Sequence, residues 1–147
     1  MQPVDTAAPR WLHVATIAFA VFLALLVVLA NSGAGTHVLL QISRAVPGND
    51  KTVHFALMGT MALLLNLSWG ARRWRLGPVP VLKGTVLVAV VVTLEEWSQL
   101  FVRRRSFSLE DLAYDYLGIL LIGQLAIWLV WWRRDDAQRE EVDAHIR

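Results

Sequence analysis

Cysteine is absent from this chain of 147 residues. That excludes disulfides, thiolate zinc sites and thiol nucleophiles. Charge is scarce too. Asp, Glu, Lys and Arg make up 18% of the residues, against about 25% in an ordinary soluble domain. The formal net charge is only +2, so there is no basic surplus to attract nucleic acid, and none is expected as a partner. No long segment alternates strictly between apolar and polar residues, which argues against a β-barrel. There is no internal repeat, no low-complexity tract and no cofactor motif.

Hydrocarbon is what the chain has in quantity. Hydrophobic residues reach 56% and the mean hydropathy is +0.47, the profile of an integral membrane protein. A span needs about 20 apolar residues. Four stretches qualify as candidates: residues 11–30, 53–69, 80–102 and 109–132. The second is short, the third contains Glu95 and Glu96, and the fourth opens with Asp111 and Asp115. The expected fold is therefore all-α, a bundle of four transmembrane helices. Residues 1–10 precede it and a charged tail, 133–147, follows. In the first loop, Val38, Leu39, Ile42 and Val46 repeat at helical spacing between Gly33, Gly35, Pro47 and Gly48. They predict a short helix lying in the outer interface. The first span also fits a signal peptide, with Val28-Leu29-Ala30 as the cleavage site.

Four spans put both termini on one side. Nine of the fourteen Lys and Arg residues fall on that side and five on the other, the latter including Arg103, Arg104 and Arg105. The positive-inside rule then makes both termini cytoplasmic in a multi-pass protein of the cell membrane. Trp11, Trp69, Trp74, Trp131 and Trp132 lie at the same boundary, where indole rings prefer to sit.

The remaining charge is concentrated. Six of the twelve carboxylates, Asp50, Glu95, Glu96, Glu110, Asp111 and Asp115, gather near the outer ends of spans two, three and four. Charge at a span is expensive and usually faces a bundle interior with a partner. Asp50 and Lys51 lie four and three residues before His54, so each shares a helix face with it. Glu96 and Gln99 are three apart, with Glu96 roughly 9 Å inside its helix end. Asp111 and Asp115 are four apart, and Gly118 continues their face. Topology alone brings these groups to one depth. Bland readings stand beside the functional one: Ser108 as an N-cap with Asp111 in the first turn, the arginines as headgroup anchors, and His54 as a packing histidine.

The same residues carry a resemblance. NDKTVHFALMG, residues 49–59, and EWSQLFVRRRSFSLEDLAYDYLG, residues 96–118, resemble the signature of the VanZ-like membrane protein family. Asp50, Lys51, His54 and Phe55 match its first block. Glu96, Gln99, Phe101, Arg105, Ser106, Phe107, Asp111, Leu112 and Gly118 match its second. Asp115 departs from the pattern, which often has Asn there, and Arg103-Arg104 replaces the usual turn before the Arg. The resemblance covers roughly two thirds of the chain. It implies a small multi-span envelope protein, and the family's name comes from a member associated with low-level teicoplanin resistance. It implies a setting, not a reaction.

The leading functional expectation is a binder or modulator of a lipid-linked, phosphate-bearing or glycopeptide ligand at the outer face. Its ligand-binding residues are Asp50, Lys51, Gln99, Arg105, Ser108, Asp111 and Asp115. The alternative is a membrane hydrolase or transferase on a lipid-linked phosphate. In it His54 is the general acid or base, oriented by Asp50 or Glu96, with His54 and Glu96 as the catalytic pair. A metal version would use His54, Glu96, Asp111 and Asp115; a transporter would use the intramembrane carboxylates as a proton route. Expected partners are membrane lipids, anionic or polyprenyl-linked, and a second copy of the chain.

Overall fold

The computed structural model describes residues 8–32, 50–76, 78–102 and 107–146. Among them the chain is mostly helical. Helix α1 is Arg10–Ser32 and α2 is Asp50–Ser68. Two strands follow, β1 (Arg73–Leu76) and β2 (Val79–Leu82). Helix α3, Lys83–Ser98, runs on as a 3-10 turn over Gln99–Phe101. Helix α4 is Leu109–Leu121 and α5 is Leu125–Ile146. The expected interfacial helix of the first loop falls on residues 33–49, outside the described residues.

Three stretches are long and apolar enough to cross a membrane: Arg10–Ser32, Lys83–Phe101 and Leu109–Arg133. The second expected span is a helix of 19 residues but is not one of the three. Asp50, Lys51, His54, Asn66 and Ser68 dilute its apolar character. Two other boundaries differ from the sequence reading. Residues 79–82 form a strand rather than the start of the third span, in an antiparallel hairpin pairing Trp74 with Val81 and Arg75 with Pro80. A two-stranded hairpin has only edge strands, where proline is tolerated. The fourth span is interrupted at residues 122–124, and α5 then carries the helix on through the charged tail to Ile146. There Asp135 and Arg139 pair at 3.1 Å one turn apart.

Helix α2 is the hub and packs against α1, α3 and α4. Its crossing with α4 is made of glycine. A Cβ on Gly118 would lie 2.0 Å from the carbonyl oxygen of Phe55, and one on Gly59 would lie 2.8 Å from the carbonyl oxygen of Gly118. Small residues allow this backbone approach, the usual device for packing helices in a bilayer. Ala62, Val88, Val92 and Ile119 fill the core between α2, α3 and α4.

Polar pins hold the opposite ends of these helices. Asn66 is buried and donates to the Thr85 hydroxyl at 2.9 Å, and its side-chain oxygen accepts from the Thr85 amide at 3.2 Å. A weaker bond reaches the Gly123 carbonyl at 3.4 Å, so one amide ties α2, α3 and the break after α4. Thr16 and Ser68 join α1 to α2 through hydroxyls 2.6 Å apart. The end of α2 is a Schellman motif, with Ala71 N–H donating to Asn66 and Gly70 N–H to Leu67. Gly70 (φ 61°) and Ala71 (φ 53°) are both left-handed there.

Candidate functional site

The glycine crossing of α2 and α4 sets the site. About one turn before Gly59 and Gly118 in their helices, His54 and Asp115 come face to face. His54 Nδ1 lies 3.1 Å from Asp115 Oδ1. Asp115 is fully buried, and its Oδ2 has no hydrogen-bond partner among the described residues. His54 is half-buried, and Asp111 and Glu96 are close enough to act on its imidazole electrostatically. The carboxylate in contact with the ring is thus Asp115, not the Asp50 or Glu96 that spacing suggested. The cross-helix approach outcompetes the in-helix pair.

Helix α3 contributes a second carboxylate. Glu96 is 1% exposed, and its two oxygens have separate partners. Oε2 accepts from the Gln99 side chain at 2.7 Å; Oε1 accepts from the Ser108 amide at 2.6 Å. The expected Glu96–Gln99 face is therefore present. Glu96 also fastens the segment leading into α4 to the end of α3. Gln99 donates to Glu95 as well, at 3.0 Å, which draws both glutamates to one amide. This three-residue group sits where the helix tightens into a 3-10 turn at Gln99.

Other expected residues stand at the rim or in structural positions. The Ser108 hydroxyl accepts from the Asp111 amide at 3.2 Å and caps α4, as its place before Asp111 suggests. Lys51 pairs with Glu110 across α2 and α4 rather than with the His54 face. Asp50 is exposed, and one of its oxygens accepts from the Lys51 amide. Arg105, with Arg103, Arg104 and Ser106, lies outside the described residues.

Two features escaped sequence reasoning. Glu110 is the partner of Lys51, although nothing in the spacing within one helix marks it. Thr93, one turn before Glu96, and Tyr116, next to Asp115, share a bond of 2.6 Å. Thr93 precedes Glu96 by three residues, so their shared face was legible.

The arrangement gives an imidazole held by a buried carboxylate, a second buried carboxylate fixed by an amide, and an ion pair at the rim. Chemically it can accept a hydrogen-bond donor or cation at Asp115, and it can move a proton at His54. No three His, Asp or Glu side chains among the described residues group closely enough to hold a metal ion. The chain matches no family model, no curated protein and no solved structure.

Proposed function

We propose that the chain is a VanZ-like, four-span protein of the cell envelope membrane with both termini in the cytoplasm. It binds or modulates a lipid-linked, phosphate-bearing or glycopeptide ligand at the outer face. One observation carries this reading: Asp115 is sealed from solvent, yet one of its oxygens has no donor among the described residues. Buried polar atoms are nearly always paired, and an unpaired buried carboxylate oxygen is costly. A ligand amine, hydroxyl or cation supplies the missing partner, and Arg105 takes a phosphate or carboxylate of the same ligand. Asp50, Lys51, Gln99 and Asp111 shape the entrance.

Native mass spectrometry of detergent-purified protein tests it. The wild type retains a lipid-linked adduct that His54→Ala, Glu96→Gln and Arg105→Ala lose while still melting cooperatively. Folded variants that all keep the adduct overturn the proposal.

The His54–Asp115 contact favours a second reading, an enzyme. A carboxylate on Nδ1 fixes the tautomer and leaves Nε2 to exchange a proton with a substrate. This version predicts turnover of a lipid phosphate by wild type and none by His54→Ala. No turnover by either protein across a broad lipid panel removes it.

A further inference from the structure

A second feature lies along α3 and α4, away from His54. An open groove of about 500 Å³ runs from Val81 to Leu94, with Val86, Val90 and Leu120 among its walls. Its hydroxyls are already engaged. Thr93 and Tyr116 bond each other, and Thr85 accepts from Asn66. The lining therefore offers mainly hydrocarbon. The fourteen residues from Val81 to Leu94 make the groove about 20 Å long. The hydrocarbon of one leaflet is about 15 Å deep.

At one end of the groove the lining reaches Val81, in the β-hairpin. Val81 pairs with Trp74, and directly paired residues share one face of an antiparallel ribbon. Trp74 thus stands on the groove side, 47% exposed, with Lys83 Nζ 5.5 Å from its ring centroid. Arg73 and Arg75 flank Trp74 along β1 on the other face of the ribbon and Arg72 precedes them, all exposed, and no acidic residue lies between positions 51 and 94. A cationic, aromatic mouth opening on an apolar channel of acyl-chain length has the chemistry of a phospholipid site.

We infer that the Trp74–Lys83 hairpin binds the headgroup of an anionic phospholipid, whose acyl chain lies in the Val81–Leu94 groove. Charge complementarity selects the headgroup, and the groove's length and dryness select the chain. This site needs the chain to be embedded in a bilayer but does not need any ligand at His54.

Absence of cysteine makes the test clean. Leu87→Cys, on the exposed side of α3 beside Val86, takes a single fluorophore. The labelled protein is reconstituted in phosphatidylcholine vesicles containing acyl-nitroxide phosphatidylglycerol or acyl-nitroxide phosphatidylcholine. Half-maximal quenching is expected at an about fivefold lower fraction of the phosphatidylglycerol, since one basic residue near the surface is worth about that ratio. Lys83→Gln removes the preference, and Ala89→Phe, which fills the groove, weakens quenching by both lipids. Equal quenching by the two lipids in the otherwise unaltered protein overturns the inference and needs no further variant to be read. Preference unchanged in Lys83→Gln also overturns it. So does a label insensitive to either lipid, as it would be if a second copy covered the groove.

Discussion

Two polar clusters sit at opposite ends of the α2–α3–α4 packing, and they are built differently. The Asn66 cluster is neutral. Its amide reaches Thr85 twice and Gly123 once, and Gly84 packs against it so closely that a Cβ there would lie 2.4 Å from the amide oxygen. The cluster around His54 is ionisable, and Asp115 keeps an oxygen without a partner among the described residues. A satisfied neutral network specifies helix positions and needs nothing more. A buried carboxylate left partly unpaired is costly, and such groups in membrane segments mark sites. The contrast separates a fastening from a site by hydrogen-bond completeness rather than by polarity.

The hardest way to break the comparison is to push apart the helices that carry both ends. Gly118→Leu drives a side chain into the Phe55 backbone, and the flexible end of no residue is there to yield. A loss of about 3 kcal/mol is expected, read as a large fall in melting temperature in detergent together with loss of any bound adduct. Next, Asn66→Ala strips one end of its network. About 1–2 kcal/mol of stability should go, with ligand retention unchanged in melts and native spectra of the same sample. Asp115→Asn sharpens the contrast from the other side. It exchanges the carboxylate that holds His54 for an amide, so about 1 kcal/mol of stability should go while ligand retention falls. The smallest effect belongs to neither cluster. Ala71→Gly relieves a left-handed backbone beside Asn66 and should raise stability by about 0.5–1 kcal/mol.

Much of this was legible from spacing. Glu96 and Gln99, three apart, meet as their helix face requires, and Ser108 caps the helix that carries Asp111. The partner of His54 was not legible. Asp50, four residues away, was the local choice, whereas Asp115 wins because Gly59 and Gly118 let two backbones touch, a tertiary fact. Similarly, the donor to Glu96 Oε1 is a backbone amide across a turn, which no side-chain pattern announces. The hairpin had a weak signal, Gly77-Pro78 between short runs of alternating residues, and was absorbed into the hydrophobic stretch that follows. Gly123 likewise stood inside an apolar run, where a glycine alone does not tell a break from a close contact.

The comparison is tested most directly by the mass of lipid-linked adduct retained by Asp115→Asn and by Asn66→Ala, purified side by side. Loss of the adduct from the first, with its retention by the second, is the predicted result. Retention by Asp115→Asn at the wild-type level would contradict the assignment of that end of the molecule as the ligand site.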